Sequence, residues 1–289
     1  MKGKKDSTVS LSEKFNKGTY KHRVLFGIPT TGVIRMEWHN AMCSLIYPVN
    51  WSNSLTQVPI PLGGPYEYLV ADARNIIVHH FLEKDFEWLL FLDHDTEPPK
   101  DALLKFTSYM ESYEVPVVAG LYYAKGEPAH PLIFRGRGNG AYCMEGGKAQ
   151  WMVGDKVWCD GIPMGMTLIH KTIMQAISDE SEDYQIIGNL DNQGRTETIK
   201  QVFITPRNTG KDPQNARNFI RYSGTEDLPW CDRIINEEIF KKAGWPKIQK
   251  KEFPFLVDTS IFCWHRGEDG VAFPTNIDYT KALKKQGYL

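Results

Sequence analysis

An α/β fold, with a mostly parallel, Rossmann-like central sheet flanked by helices, is what this chain predicts, and three observations predict it. The run Trp88-Leu89-Leu90-Phe91-Leu92 is short, wholly apolar and halts at a carboxylate, as a strand buried on both faces does. Two comparable runs, Val24-Leu25-Phe26-Gly27-Ile28-Pro29 and Val115-Pro116-Val117-Val118-Ala119-Gly120-Leu121-Tyr122-Tyr123, lie before and after it. Between the three runs stand segments with apolar residues at helical spacing, so the first half reads βαβαβ.

The elements follow in order. Residues 1–22 are polar and carry Lys2, Lys4, Lys5, Lys14, Lys17 and Lys21, the composition of a loose basic tail. The first strand ends in the polar loop Thr30-Thr31-Gly32, and residues 34–44 have helical spacing. Residues 45–65 are rich in Pro, Gly and Asn and read as a short strand and loop. Over 66–82, Tyr68, Leu69, Ala73, Ile76, Ile77 and His80 share one helical face. A further amphipathic helix covers 102–113.

The second half is less regular. Residues 130–157 suggest short strands with glycine turns, 159–169 a glycine-broken strand, and 170–177 a helix. The polar stretch 178–224 reads as a lid or inserted hairpin with Asn192-Gln193-Gly194 at its turn. A helix is expected to open at Glu226-Asp227 and to end at Ala243-Gly244, with 236–243 its last stretch, before a late strand at 255–258. The expected organisation is a single domain over 23–289, with one half at about 23–125 and the other at about 126–289, the latter carrying the 178–224 lid.

Composition narrows the function. With 289 residues, 42% hydrophobic and a net charge of −1, the chain has an ordinary globular make-up and no global electrostatic footprint for nucleic acid. No segment is long and apolar enough to span a bilayer, and no apolar signal core stands at the N-terminus, so a cytoplasmic setting is expected. The five cysteines are scattered, with no Cys-x-x-Cys pair, which points to thiols rather than a zinc site or a disulfide framework.

The chemistry centres on Asp93-His94-Asp95, which ends the apolar strand. In a parallel sheet the carboxyl ends of the strands open on the ligand crevice. Two carboxylates there suit a hard ion, Mg2+ or Mn2+, that could neutralise a diphosphate. The plainer reading is that Asp93 or Asp95 caps a helix beginning at Pro98-Pro99-Lys100-Asp101. A phosphohydrolase motif of the haloacid dehalogenase type is disfavoured, because Thr96 falls one place too early. Two later segments point the same way as the aspartates. One is the acidic pair Glu226-Asp227, which could also merely cap its helix; the other is Trp264-His265-Arg266-Gly267 after the late strand. Trp158, Trp230 and Trp264 could stack on sugar faces or fill the core.

In this order, Ala73-Arg74-Asn75, Asp93-His94-Asp95, the stretch from Gly161 to Gly165, Glu226-Asp227 and His265-Arg266-Gly267 resemble the motifs of GT-A fold glycosyltransferases, most closely the small family 2-like enzymes. The resemblance covers roughly residues 22–270. It departs from the family in the wider Gly161–Gly165 spacing, in the Leu228-Pro229-Trp230-Cys231 that follows the acidic pair, and in the length of 178–224.

The resemblance implies a metal-dependent transfer of sugar from a nucleoside diphosphate sugar, a UDP-sugar first, to an acceptor hydroxyl. Pro29, Thr30, Thr31, Arg74, Asn75, Asp93 and Arg266 would bind the donor. Asp93, Asp95 and His265 would hold Mn2+ or Mg2+. Asp227 would be the base of an inverting reaction, Glu226 would bind the acceptor or orient Asp227, and Gly165 and Trp230 would face the acceptor. Lys125 is a further candidate for phosphate contact. The acceptor stays open among a glycan, a protein and a modified nucleic-acid base. Lys200, Arg207, Lys211, Arg217 and Arg221, interleaved with Phe203, Phe219 and Tyr222, could touch a nucleic acid, although Glu180, Glu182, Asp183 and Asp191 share that stretch and a solvated loop is the simpler reading. Two other functions remain: a nucleotidyltransferase, against which the first loop's lack of a lysine argues, and a noncatalytic nucleotide-sugar or glycan-binding module.

Overall fold

The computed structural model describes residues 22–49, 51–59, 69–136, 144–145, 148–188, 195–205, 207–211, 219–223 and 225–275. The expected tail at 1–21, the start of the 66–82 helix, the Asn192-Gln193-Gly194 turn and Arg217 lie outside them.

A seven-stranded sheet is the frame. Its strands are β1 (His22–Thr30), β2 (Trp51–Pro59), β3 (Trp88–Leu92), β5 (Val117–Leu121), β8 (Lys156–Cys159), β9 (Met166–His170) and β14 (Phe255–Phe262). The short β4 (Thr96–Glu97), β6 (Met144–Glu145) and β7 (Lys148–Ala149) lie outside this sheet. So do the hairpins of β10 (Asp183–Gly188) with β11 (Arg195–Lys200) and β12 (Arg207–Lys211) with β13 (Phe219–Ser223). β15 (Trp264–Arg266) and β16 (Ala272–Phe273) join β4 in a three-stranded sheet. The helices are α1 (Met36–Cys43), α2 (Val70–Glu83), α3 (Ala102–Ser112), α4 (Lys171–Asp179), α5 (Asp227–Asn236), α6 (Ile239–Lys242) and α7 (Pro246–Gln249).

The main sheet runs β2-β1-β3-β9-β5-β14-β8. β1 is parallel to both β2 and β3, and β14 is parallel to β5. β9 enters between β3 and β5 antiparallel to both, and β8 closes the edge antiparallel to β14. The sheet is therefore partly parallel. The glycine-broken strand expected over 159–169 is two strands, β8 and β9, joined through a loop. Every residue of β9 is buried, so its hydropathy carries no sign of its direction.

Alternation along the strands sorts the core into two layers. Leu89 and Phe91 pack with Ile76, Ile77 and Phe81 of α2 and with residues of α4, α5 and α6. Trp88, Leu90 and Leu92 pack with Trp38 of α1 and with Leu103, Phe106 and Met110 of α3. Side chains of this size contribute about 1.5–3 kcal/mol each when fully buried. Gly27 lets α2 close on β1: a Cβ there would stand 2.5 Å from Ile77.

Two expected caps give way to other roles. The N-cap of α3 is Asp101, not Asp93 or Asp95. Glu226 stands at the N-cap of α5 but makes no side-chain capping bond. The helix expected to run through to Ala243 breaks at Glu238, whose φ of 54° is left-handed and cannot propagate a helix. The stretch expected as a lid or inserted hairpin holds two hairpins, β10–β11 and β12–β13. Phe203 is buried against Phe91 and Trp230, so it has no face for base stacking, and Lys200 pairs with Asp183.

Candidate active site

The site forms at the carboxyl ends of β1, β3 and β5, where the small β4–β15–β16 sheet folds over the turn after β3. The turn is held by its backbone. Asp93 N–H donates to Gly165 O at 3.0 Å, and the Trp38 indole N–H donates to Asp93 O at 2.9 Å. His94 points to β1, where Nδ1 is 3.2 Å from Pro29 O and Nε2 is 3.3 Å from Thr31 Oγ1. Thr30 is buried and accepts from Gly32 N–H, so the expected donor loop is internally braced.

Arg74 organises one side. Buried on α2 with its guanidinium over Phe91, it donates from Nε to Glu226 Oε1 at 2.7 Å and from Nη2 to Asp93 Oδ2 at 3.0 Å. Burial works against its charge, but Asp93, Glu226 and Asp227 outweigh that and hold it firmly protonated. Three carboxylates face this single cation. Burial raises Glu226, yet Arg74 prevails and brings it below the usual range. Burial raises Asp93, with Asp95 adding to the rise and Arg74 opposing it. Burial, then the neighbouring Glu226, pushes Asp227 well above the usual carboxylate range. Asp227 Oδ1 and Asp93 Oδ1 are sealed from solvent without a hydrogen-bond partner.

Asp95 faces the other way. Its Oδ2 accepts from Lys125 Nζ at 2.5 Å and lies 3.6 Å from His265 Nε2. His265 is set by β15, which pairs it with Thr96 of β4, and its Nδ1 bonds Tyr123 O at 2.7 Å. With Nδ1 committed to a carbonyl, the ring presents Nε2 to Asp95. Burial opposes the charge on Asp95, but His265 and then Lys125 bring its pKa far below the usual range. The Arg266 backbone N–H donates to Asp95 O at 2.8 Å and locks the two strands together.

The sequence-derived set is thus partly assembled. Asp95 and His265 meet. Asp93, Arg74, Glu226 and Asp227 form a second group beside them. Asp93 points its carboxylate to Arg74 rather than toward His265, and among the described residues no group of three His, Cys, Asp or Glu side chains stands ready to hold an ion. Three placements differ from expectation. Trp230 is fully buried and stacked on Phe203, an apolar core position with no face for an acceptor. Asn75 spends its amide on both the N–H and the O of Phe203 and on Tyr184 Oη, so it ties α2 to the lid stretch instead of reaching a donor. Arg266 gives its guanidinium to Glu97 and to Gly270 O.

Gly165 is buried and close to the site. Its N–H donates to Tyr122 Oη at 2.7 Å, and a Cβ there would lie 2.5 Å from the same oxygen. Tyr122, Trp38, Glu97 and the Asp95 contact of Lys125 are parts that the sequence reading did not assign. The available signal was positional: Tyr122 and Lys125 follow β5, whose carboxyl end opens on the same crevice as β3.

No protein-family model matches the chain, and no curated protein matches it. Among solved structures it is similar to A197 from STIV, at 16% identity over 86% of this chain and 88% of that one, with a TM-score of 0.48. It is also similar to S. aureus TarS 1-349 in complex with UDP-GlcNAc, at 12% identity over 53% of this chain and 46% of that one, with a TM-score of 0.32. The TarS complex with UDP aligns at 13% identity over 53% and 48%, with a TM-score of 0.32. The chain spans less than half the length of these TarS structures. What the fold itself defines is an α/β protein with a mixed seven-stranded sheet and helices on both faces. Among the described residues no helix is long and apolar enough to cross a membrane.

Proposed function

We propose that this protein is a metal-dependent glycosyltransferase that moves a sugar, with inversion, from a nucleoside diphosphate sugar to an acceptor hydroxyl. The observation that carries the reading is the approach of His265 Nε2 to within 3.6 Å of Asp95 Oδ2 at the end of β3, with Nδ1 anchored on Tyr123 O. That is the setting of a metal-binding imidazole, with one ring nitrogen anchored on a carbonyl and the other turned to a carboxylate. One carboxylate and one imidazole fit a hard divalent ion of the kind that completes its shell with water and substrate phosphate rather than with an all-protein cage. The imidazole favours Mn2+ over Mg2+. Bound there, the ion would stabilise the diphosphate leaving group as the glycosidic bond breaks.

The remaining steps belong to the chain's own side chains. Asp227, beside the donor crevice with its pKa raised by burial and by Glu226, would in its ionised form take the acceptor hydroxyl's proton. Arg74 bonds both Glu226 and Asp93 and holds the two carboxylates in place beside Asp227. His94 braces the loop after β1 against the turn that carries both aspartates. The acceptor is a glycan, a protein or a modified nucleic-acid base.

The test is a panel of nucleoside diphosphate sugars, UDP-GlcNAc included, screened by thermal shift with and without Mn2+ and followed by turnover assays. A ligand that binds the folded form raises its midpoint. Metal-dependent stabilisation by one donor, and loss of turnover in Asp95→Ala and in His265→Ala, is the expected result. Full activity in both variants would overturn the assignment.

A further inference from the structure

Lys125 has no place in the catalytic scheme above, yet it makes a short contact at the centre of the site. Its ammonium donates to Asp95 Oδ2 at 2.5 Å, and His265 Nε2 faces that same oxygen at 3.6 Å. The carboxylate oxygen that a divalent ion would take is therefore already held by a cation. We propose that Lys125 is a displaceable internal cation that occupies the ion's position on Asp95 until a diphosphate arrives, so that metal and nucleotide enter together. The inference rests on the proposed function and concerns the same site.

The setting supports exchange. Lys125 lies beyond β5 in an open loop, its side chain is 36% exposed, and Asp95 is the one partner described for it. A lysine ammonium is a compact point charge on a flexible four-carbon stem, so it can leave one anion for another nearby. The second carboxylate of the turn is turned away from it, with Asp93 Oδ2 on the buried Arg74 and Oδ1 sealed from solvent. A metal ion entering alone must expel the ammonium from Asp95 and leave two cations facing each other at the crevice. A metal ion entering with a diphosphate brings the anion that the released ammonium can pair with. Lys125 thus makes metal affinity conditional on the nucleotide, and it adds a second positive charge against the leaving group once displaced. This coupling is reciprocal: whatever factor the diphosphate contributes to metal binding, the metal contributes to diphosphate binding.

The experiment reads bound Mn2+ directly, from the loss of the free-ion paramagnetic resonance signal, in wild-type protein, Lys125→Met and Asp95→Asn, each with and without UDP. Thermal melts check that all three are folded. Without UDP, Lys125→Met is expected to bind Mn2+ at least tenfold more tightly than wild type, equivalent to about 1.4 kcal/mol. UDP should then tighten Mn2+ binding by a larger factor in wild type than in Lys125→Met, and Asp95→Asn should lose the site in both conditions. Equal Mn2+ affinity in wild type and Lys125→Met, with the site lost in Asp95→Asn, would overturn the role of Lys125 and leave the metal-dependent reading standing. No Mn2+ uptake by wild type or Lys125→Met, even with UDP, would overturn both.

Discussion

Arg74 on α2 and Glu226 at the start of α5, separated by 152 positions in the chain, are joined by a 2.7 Å hydrogen bond in a place almost closed to solvent. The same guanidinium reaches Asp93, so one buried cation ties the turn after β3 to the acidic helix start. The geometry of the candidate site and the stability of the fold meet at this residue.

Removing Arg74 leaves two carboxylates without their buried partner. Arg74→Met should cost roughly 3–5 kcal/mol, the usual range for breaking a buried pair from one side. Adding Glu226→Gln to that variant should restore part of the loss. Urea unfolding of the two variants checks this, and an Arg74→Met protein as stable as wild type would show the contact to be energetically idle.

Asp227 carries both a rate and a stability prediction. Asp227→Asn should lower turnover by roughly 10²–10⁴-fold, the ordinary contribution of a general base, with UDP binding preserved. The folded carboxyl keeps its proton at pH values where the unfolded one, near 3.9, has released it. Stability is therefore lost as pH climbs through that window. Asn mimics the protonated form, so the variant should melt higher than wild type at neutral pH, with the gap closing toward about pH 3.9. A variant that melts lower at neutral pH would contradict the raised pKa.

Gly165→Ala should disturb the site without touching a charged group. The added methyl would stand 2.5 Å from Tyr122 Oη and 2.9 Å from Thr96 Oγ1, and neither neighbour is a flexible chain end. Overpacking of this kind costs roughly 1–3 kcal/mol. Denaturation midpoints give the stability change, and a matching fall in turnover would place the Gly165 backbone beside the reacting groups.

His170 is expected to set the acid limit of the fold. Burial brings its pKa down to about 3, and its Nδ1 accepts from Thr172 N–H at the start of α4. The unfolded ring takes up a proton near pH 6.5 while the folded one does not, so stability is present above that pH and falls as pH drops toward 3. His170→Asn keeps a capping oxygen and removes the titration. Its unfolding free energy should lose about 1.4 kcal/mol per pH unit of slope between pH 6 and pH 4. An unchanged slope would mean that another group governs acid unfolding.

Much of the site was legible because strand ends advertise themselves. Apolar runs that stop at Asp93 and at Pro29 placed β3 and β1, and the sheet then put both carboxyl ends on one crevice. Trp230 and Asn75 misled for a common reason: both stand beside functional side chains, and sequence adjacency does not say which face of a helix meets the core. Each is turned inward, onto Phe203 and the surrounding apolar layer.

By itself the chain indicated the strands β1, β3 and β5, the helices between them, and that Asp93 and Asp95 follow the end of a buried strand. Those properties follow from hydropathy and its period, which are local. The tertiary structure alone decided that β9 runs backwards between β3 and β5, that Asp93 turns to Arg74 while Asp95 turns to Lys125 and His265, and that Arg266 is absorbed by Glu97. Strand direction leaves no trace in a fully buried apolar run. A charged side chain selects its partner by distance through space, and that distance is set by pairings between segments far apart in the chain.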